Sequence, residues 1–185
     1  VLQDANILPV SAYTGEGLPE LIKELDRLII NSAEPRDIGR PRLPIDRSFA
    51  VSGFGTVVTG TLLDGAISLG QEVELVISNK TSRVRGIQAH RKSQEIALPG
   101  SRVAINLSGV SYNDIRRGDV LTIPGWLRPT NAVDVYLRTT RDSPRPLRHN
   151  ITVSIHTGTD ETLTKVRLLN KDQLLPGEAG WAQLK

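Results

Sequence analysis

The first candidate for chemistry in this chain is the adjacent charged pair Asp46-Arg47. A guanidinium suits the recognition of an anion better than bond making, because arginine stays charged and does not shuttle protons. Asp46-Arg47 opens an alternating run in which Arg47, Phe49 and Val51 share a face, and Gly53-Phe54-Gly55 interrupts that run. Glycine there lets backbone and ligand approach closely. Other chemistries find no support. The chain has no cysteine, so thiolate metal sites, disulfides and cysteine nucleophiles are excluded together. His90, His149 and His156 are too scattered for a metal centre, and no metal is expected. No Ser/His/Asp arrangement is legible, so no residue is assigned a catalytic role. Gly53, Gly55 and Gly60 lack dinucleotide-binding spacing, and no G-x-x-x-x-G-K-[ST] loop occurs. Arg117-Gly118-Asp119 spells the adhesion tripeptide but reads better as the start of a strand.

These residues must be held by strands. The β-branched segment Thr56, Val57, Val58, Thr59, Thr61 follows the glycines, which predicts a hairpin over residues 45–61. Turn signals at Asp64-Gly65, Asn79-Lys80 and Pro99-Gly100 separate further short strands at 72–77, 83–88, 102–107 and 117–121. Val103, Ile105 and Leu107 share one face of the 102–107 strand, and Arg102, Ala104 and Asn106 the other. About six strands in some eighty residues predict a small closed β-barrel. A second strand-rich region begins near Ala132, includes 152–156 and 165–169, and holds too few strands for a complete barrel. Trp126 and Trp181 are expected in the core or in packing between domains.

The start of the chain differs. Residues 7–10 read as a short strand, and Leu18, Leu21, Ile22, Leu25, Leu28 and Ile29 make the apolar stripe of a helix. That is a strand–helix remnant of an α/β domain. Pro35, Gly39, Pro41 and Pro44 then predict a basic linker without regular structure. The expected division is an α/β remnant at 1–31, a linker at 32–44, a barrel at 45–125 and an incomplete second barrel at 126–185.

The net charge of +3 conceals an asymmetry. Residues 1–35 hold two basic and six acidic side chains, residues 36–148 hold seventeen and ten, and the remainder balances at four each. Arginine dominates the basic middle, as expected for contacts with phosphate. No apolar run approaches the roughly 18 residues of a membrane span. With no methionine and an opening inside a predicted strand, the chain reads as a piece of a longer protein.

Longer motifs add a resemblance. Gly53-Phe54-Gly55-Thr56-Val57-Val58-Thr59-Gly60 is similar to the G-x-G-T-V-x-T-G signature of the second domain of translational GTPases. Ser11-Ala12-Tyr13-Thr14-Gly15-Glu16-Gly17 resembles the last guanine-contacting loop of their G domain. Within that superfamily the chain resembles the selenocysteine-specific elongation factors, the SelB family. The blocks that carry the likeness include Leu43-Pro44-Ile45-Asp46-Arg47, Val84-Arg85-Gly86-Ile87-Gln88, Arg102-Val103-Ala104-Ile105-Asn106-Leu107 and His156-Thr157-Gly158-Thr159.

The resemblance implies a mainly β fragment: the end of the G domain, domain II and part of domain III. It implies that Ser11 and Ala12 lie against guanine, and that Val51, Gly53 and Val57 receive the terminal adenosine of tRNA. Asp46, Arg47 and Arg102 then surround the amino acid, where ordinary elongation factors carry an acidic pair and an asparagine. Two buried arginines would favour an ionised selenol over serine, with Asp46 orienting one of them through a bidentate contact. The implied partners are selenocysteyl-tRNA, the ribosome and, through a C-terminal region outside this chain, an mRNA hairpin. GTP and Mg²⁺ are implied for the full-length protein and none for this piece, which lacks the phosphate loop and N-K-x-D. A cytoplasmic location follows from the same likeness. Two other readings stay open: another translational GTPase, and a β-barrel interaction module without an RNA role.

Overall fold

The computed structural model describes residues 5–185, which divide into two compact units, Val1–Glu34 and Pro35–Lys185. In the first unit the predicted helix forms as α1 (Leu18–Ile30). Proline in its first turn, Glu20 near its N-terminus and Arg27 near its C-terminus match the helix's orphan groups and dipole. The Asn31 side chain closes the last turn by donating to the Arg27 carbonyl at 2.8 Å. No residue of α1 is buried. The strand expected at 7–10 is not formed: no strand lies beside these residues among those described, and an extended segment becomes a strand only by pairing.

The second unit is built from fifteen strands: β1 (Arg42–Val51), β2 (Gly55–Thr61), β3 (Ile67–Ser68), β4 (Glu72–Leu75), β5 (Lys80–Ala89), β6 (Lys92–Gln94), β7 (Ile96–Ala97), β8 (Arg102–Leu107), β9 (Val120–Thr122), β10 (Val133–Arg138), β11 (Leu147–Arg148), β12 (Ile151–Thr157), β13 (Asp160–Leu168), β14 (Gln173–Leu174) and β15 (Ala179–Leu184). The order β4-β9-β1-β2-β8-β5, with β5 pairing back onto β4, closes a six-stranded antiparallel barrel. Closure leaves these strands no free edge. Leu43, Ile45, Val58, Leu75, Ile105 and Leu121 fill the interior, each fully buried. Each such side chain stabilises the barrel by about 1.5–3 kcal/mol.

The expected linker at 32–44 runs too far. Residues 42–44 belong to β1 and pair with β9, and the Thr122 hydroxyl donates to the Pro41 carbonyl at 2.7 Å. The prolines exclude a helix, but they do not exclude an extended segment whose partner returns almost eighty residues later. Residues 133–184 form an open sheet, β10-β15-β13-β12, with a separate β11-β14 ribbon. Val166, Leu168, Leu174, Ala182 and Leu184 make its small core. Trp181 is not part of that core. It sits between inward-facing Gly180 and Ala182, is 55% exposed, and meets Tyr136 edge to face at 5.3 Å. No described helix is long and apolar enough to cross a membrane.

Candidate functional site

The site begins with one extra residue. Ile45 pairs with Gly60 and Arg47 with Thr59, so Asp46 is a bulge without a cross-strand partner. Before it Leu43 and Ile45 point inward; beyond it the odd-numbered Arg47, Phe49 and Val51 are exposed. A slip of one residue exchanges the faces of a strand, and the bulge makes that exchange within β1. On β2 and β8 the outward faces carry Val57, Thr59 and Thr61, and Arg102, Ala104 and Asn106. Thr59 pairs with both Arg47 and Ala104, and Thr61 with Arg102.

Asp46 is the centre of a rim cluster. Arg102 Nη1 donates to Asp46 Oδ2 at 2.5 Å, and the Thr59 hydroxyl donates to Oδ1 at 2.6 Å. The Arg102 hydrogen bond holds the Asp46 carboxyl below the usual carboxylate range; partial burial opposes it, while Thr59 and the charges of Arg102 and Arg47 add to it. Asp46 in turn raises Arg102. Arg47 and Arg102 therefore act on one carboxylate. Among the described residues Arg47 has no ion-pair partner of its own, so the three side chains carry a net charge of +1. Two details differ from expectation. The contact is single rather than bidentate, because Thr59 occupies the second oxygen. The Arg102 side chain is also 57% exposed rather than buried, since an outward face of the barrel cannot bury it unaided.

Further along the same face lies a cavity of about 460 Å³. Val51 and Val57 line it together with Phe49, Phe54, Leu69 and Ile87. Gly53 does not. It sits in the turn between β1 and β2 at φ 77°, where the left-handed backbone needs glycine. Asn106 also lines the cavity. Its Nδ2 donates to the Phe54 carbonyl at 2.8 Å, tethering the hairpin tip, and its Oδ1 is buried without a partner. The alternation of β8 already placed Asn106 on the face of Arg102, which was the signal for it. Leu69 had no such signal, because it reaches the cavity from the loop after β3. Arg102 and Asn106 are four residues apart on β8, a span of about 13 Å.

In the first unit Ser11 is half-buried and Ala12 exposed. Their loop is closed by Gly15 N–H donating to the Ser11 carbonyl at 2.9 Å and Ser11 N–H donating to the Glu16 carbonyl at 3.0 Å. The adhesion tripeptide is excluded as such: Asp119 is fully buried and accepts from the backbone N–H of Ile77 and Ser78.

Residues 55–122 match the family model described as elongation factor Tu domain 2. The chain is 43% identical over 184 residues to a selenocysteine-specific elongation factor of Desulfomicrobium baculatum, covering 100% of this chain and 29% of that protein. It is 36% identical over 170 residues to the factor of the same name from Haemophilus influenzae, covering 91% of this chain and 26% of that protein. The crystal structure of the bacterial selenocysteine-specific elongation factor EF-Sec superimposes with a TM-score of 0.81 at 26% identity, over 99% of this chain and 30% of that one. The chain thus spans less than a third of the length of each of these proteins.

Proposed function

We propose, on the premise that this chain is a stretch of a selenocysteine-specific elongation factor, that its barrel holds the aminoacyl end of selenocysteyl-tRNA while the full-length protein delivers it to the ribosome. The terminal adenosine enters the apolar cavity beside Val51 and Val57, with Gly53 shaping the hairpin tip above it. The selenocysteine side chain reaches the rim. The distance between Arg102 and Asn106 along β8, about 13 Å, is on the scale of an aminoacylated adenosine.

One observation carries this reading: Arg102 pairs with Asp46 at the rim while the adjacent Arg47 has no ion-pair partner among the described residues, which leaves these three side chains with a charge of +1. A selenol is ionised at neutral pH and a serine hydroxyl is not, so the rim attracts the first and is indifferent to the second. A unit charge about 4 Å away gives about fivefold selectivity in bulk water and about a thousandfold at an effective dielectric near 20. Excluding water from the rim therefore decides how sharp the selection is.

The loop of Ser11 and Ala12 fits one edge of a guanine, since Ala12 offers an exposed apolar surface on a hydrogen-bonded turn. Binding and hydrolysis of GTP, with Mg²⁺, are proposed for the full-length protein on the family likeness. The same reading places that protein in the cytoplasm and gives it an mRNA hairpin as partner through a C-terminal region outside this chain.

Replacing Arg102→Ala in the full-length protein tests the reading through dissociation constants for selenocysteyl-tRNA and seryl-tRNA. The preference for selenocysteine should fall while seryl-tRNA binding is retained. An unchanged ratio overturns the charge-reading role.

A further inference from the structure

The open sheet touches the barrel beside Asp46. The turn joining β12 to β13 carries Gly158 and Thr159. The Thr159 hydroxyl donates to the Ile45 carbonyl at 2.6 Å. Arg117 Nε reciprocates by donating to the Thr159 carbonyl at 3.0 Å. The approach is close on both sides. A Cβ on Gly118 would lie 2.6 Å from the Asp160 Cβ, and one on Gly158 would lie 3.1 Å from the Pro44 Cβ. Both positions lack a side chain, which leaves room for Asp160 and Pro44 to pack against them.

The Ile45 carbonyl and the Asp46 amide belong to one planar peptide group. That carbonyl accepts twice, from Thr159 and from Gly118 N–H at 3.0 Å, so both its lone pairs are used. Fixing the oxygen fixes the plane from which Asp46 departs. An ordinary strand residue gains the same constraint from its ladder partner, but Asp46 has none. Its direction, and with it the Asp46–Arg102 contact, depends on what holds residue 45.

We infer that Thr159 is a positioning residue for the rim: by seating the β12–β13 turn on the Ile45 carbonyl, it aims the Asp46 carboxylate that orders Arg102. Selectivity for the amino acid is thereby coupled to the docking of the second sheet on the barrel. This inference rests on the charge-reading role proposed above.

The test compares wild type, Thr159→Val, Thr159→Ser and Arg117→Ala in the full-length protein, measuring affinities for selenocysteyl-tRNA and seryl-tRNA and thermal unfolding. Valine keeps the shape of threonine and removes the donor. It should lower the selenocysteine-to-serine ratio by about fivefold to tenfold, the scale of one hydrogen bond. Serine should restore the ratio. A merely structural contact would lower stability or weaken both tRNAs alike, leaving the ratio untouched. A wild-type ratio in a folded Thr159→Val protein overturns the inference. Should that variant fail to fold, Arg117→Ala decides in its place, because lost phosphate binding would affect both tRNAs equally and a lost latch would not. A wild type without preference would remove the charge-reading role itself and this inference with it, a result distinct from an unchanged variant.

Discussion

The rim and the cavity occupy one outward face of β1, β2 and β8, yet they are built from opposite materials. At the rim, charged groups stand largely in water, and Arg102 meets Asp46 at 2.5 Å with most of its side chain exposed. In the cavity, Phe49, Val51, Phe54 and Val57 offer apolar surface, with Asn106 as a polar tether. The first distinguishes ligands by charge and weakens as salt screens it. The second rewards burial of any flat apolar group and is nearly indifferent to salt. On the proposed function, a barrel that keeps both on one face separates two tasks: holding every tRNA end, and choosing among amino acids.

The strongest way to break that separation is to disturb the support they share. Ile105 is fully buried between Arg102 and Asn106 in sequence, directly behind both halves. Ile105→Ala should destabilise the fold by about 2–5 kcal/mol, read from urea unfolding. Selectivity and overall tRNA affinity should then deteriorate together. A loss confined to one of them would show that the halves are not mechanically joined.

A smaller effect should sharpen the contrast. Val57→Asp puts a carboxylate into the cavity without touching the rim, and should weaken tRNA binding by about 1–3 kcal/mol, the worth of one buried base. The loss should be the same for seryl-tRNA and selenocysteyl-tRNA in a direct titration. A change in their ratio would mean that the cavity also reads the amino acid.

The smallest effect concerns pH. Because Arg102 and Thr59 hold the Asp46 carboxyl below its unfolded value, the ion pair adds stability above the ordinary aspartate pKa of about 3.9, and loses it as pH falls through the depressed folded value. Unfolding curves of wild type and Asp46→Asn should therefore differ modestly at neutral pH and converge in acid. A gap that persists at pH 2 would assign the stabilisation to something other than the charge.

Much of this arrangement was legible beforehand. The strand at 102–107 was read with its correct limits and faces, because alternation of apolar and polar residues is a local property. The glycines at 53 and 55 announced their turn for the same reason, and α1 followed from spacings of three and four. The family likeness alone groups the three rim residues; Arg102 bonds Asp46, while Arg47 stands next to it in β1 without an ion-pair partner among the described residues. The failures have a different character. Proline content conceals the strand at 42–44, residues 7–10 have no described strand to pair with, and Trp181, expected in the core or between domains, is left out of the core because Gly180 and Ala182 take the inner face of its sheet.

Residue types and their periodicity determined that this chain makes a small barrel with an arginine-rich surface and a hairpin at 45–61. They did so because backbone propensity and side-chain alternation act over a few residues. Tertiary structure alone decided that Asp46 is a bulge, that the faces of β1 exchange there, and that Thr159 grips a carbonyl 114 residues earlier. Those features are set by hydrogen bonds between segments far apart in the chain. Apart from the Thr159 hydroxyl, their donors and acceptors are backbone groups that every residue carries, so the identity of the local residues does not reveal them.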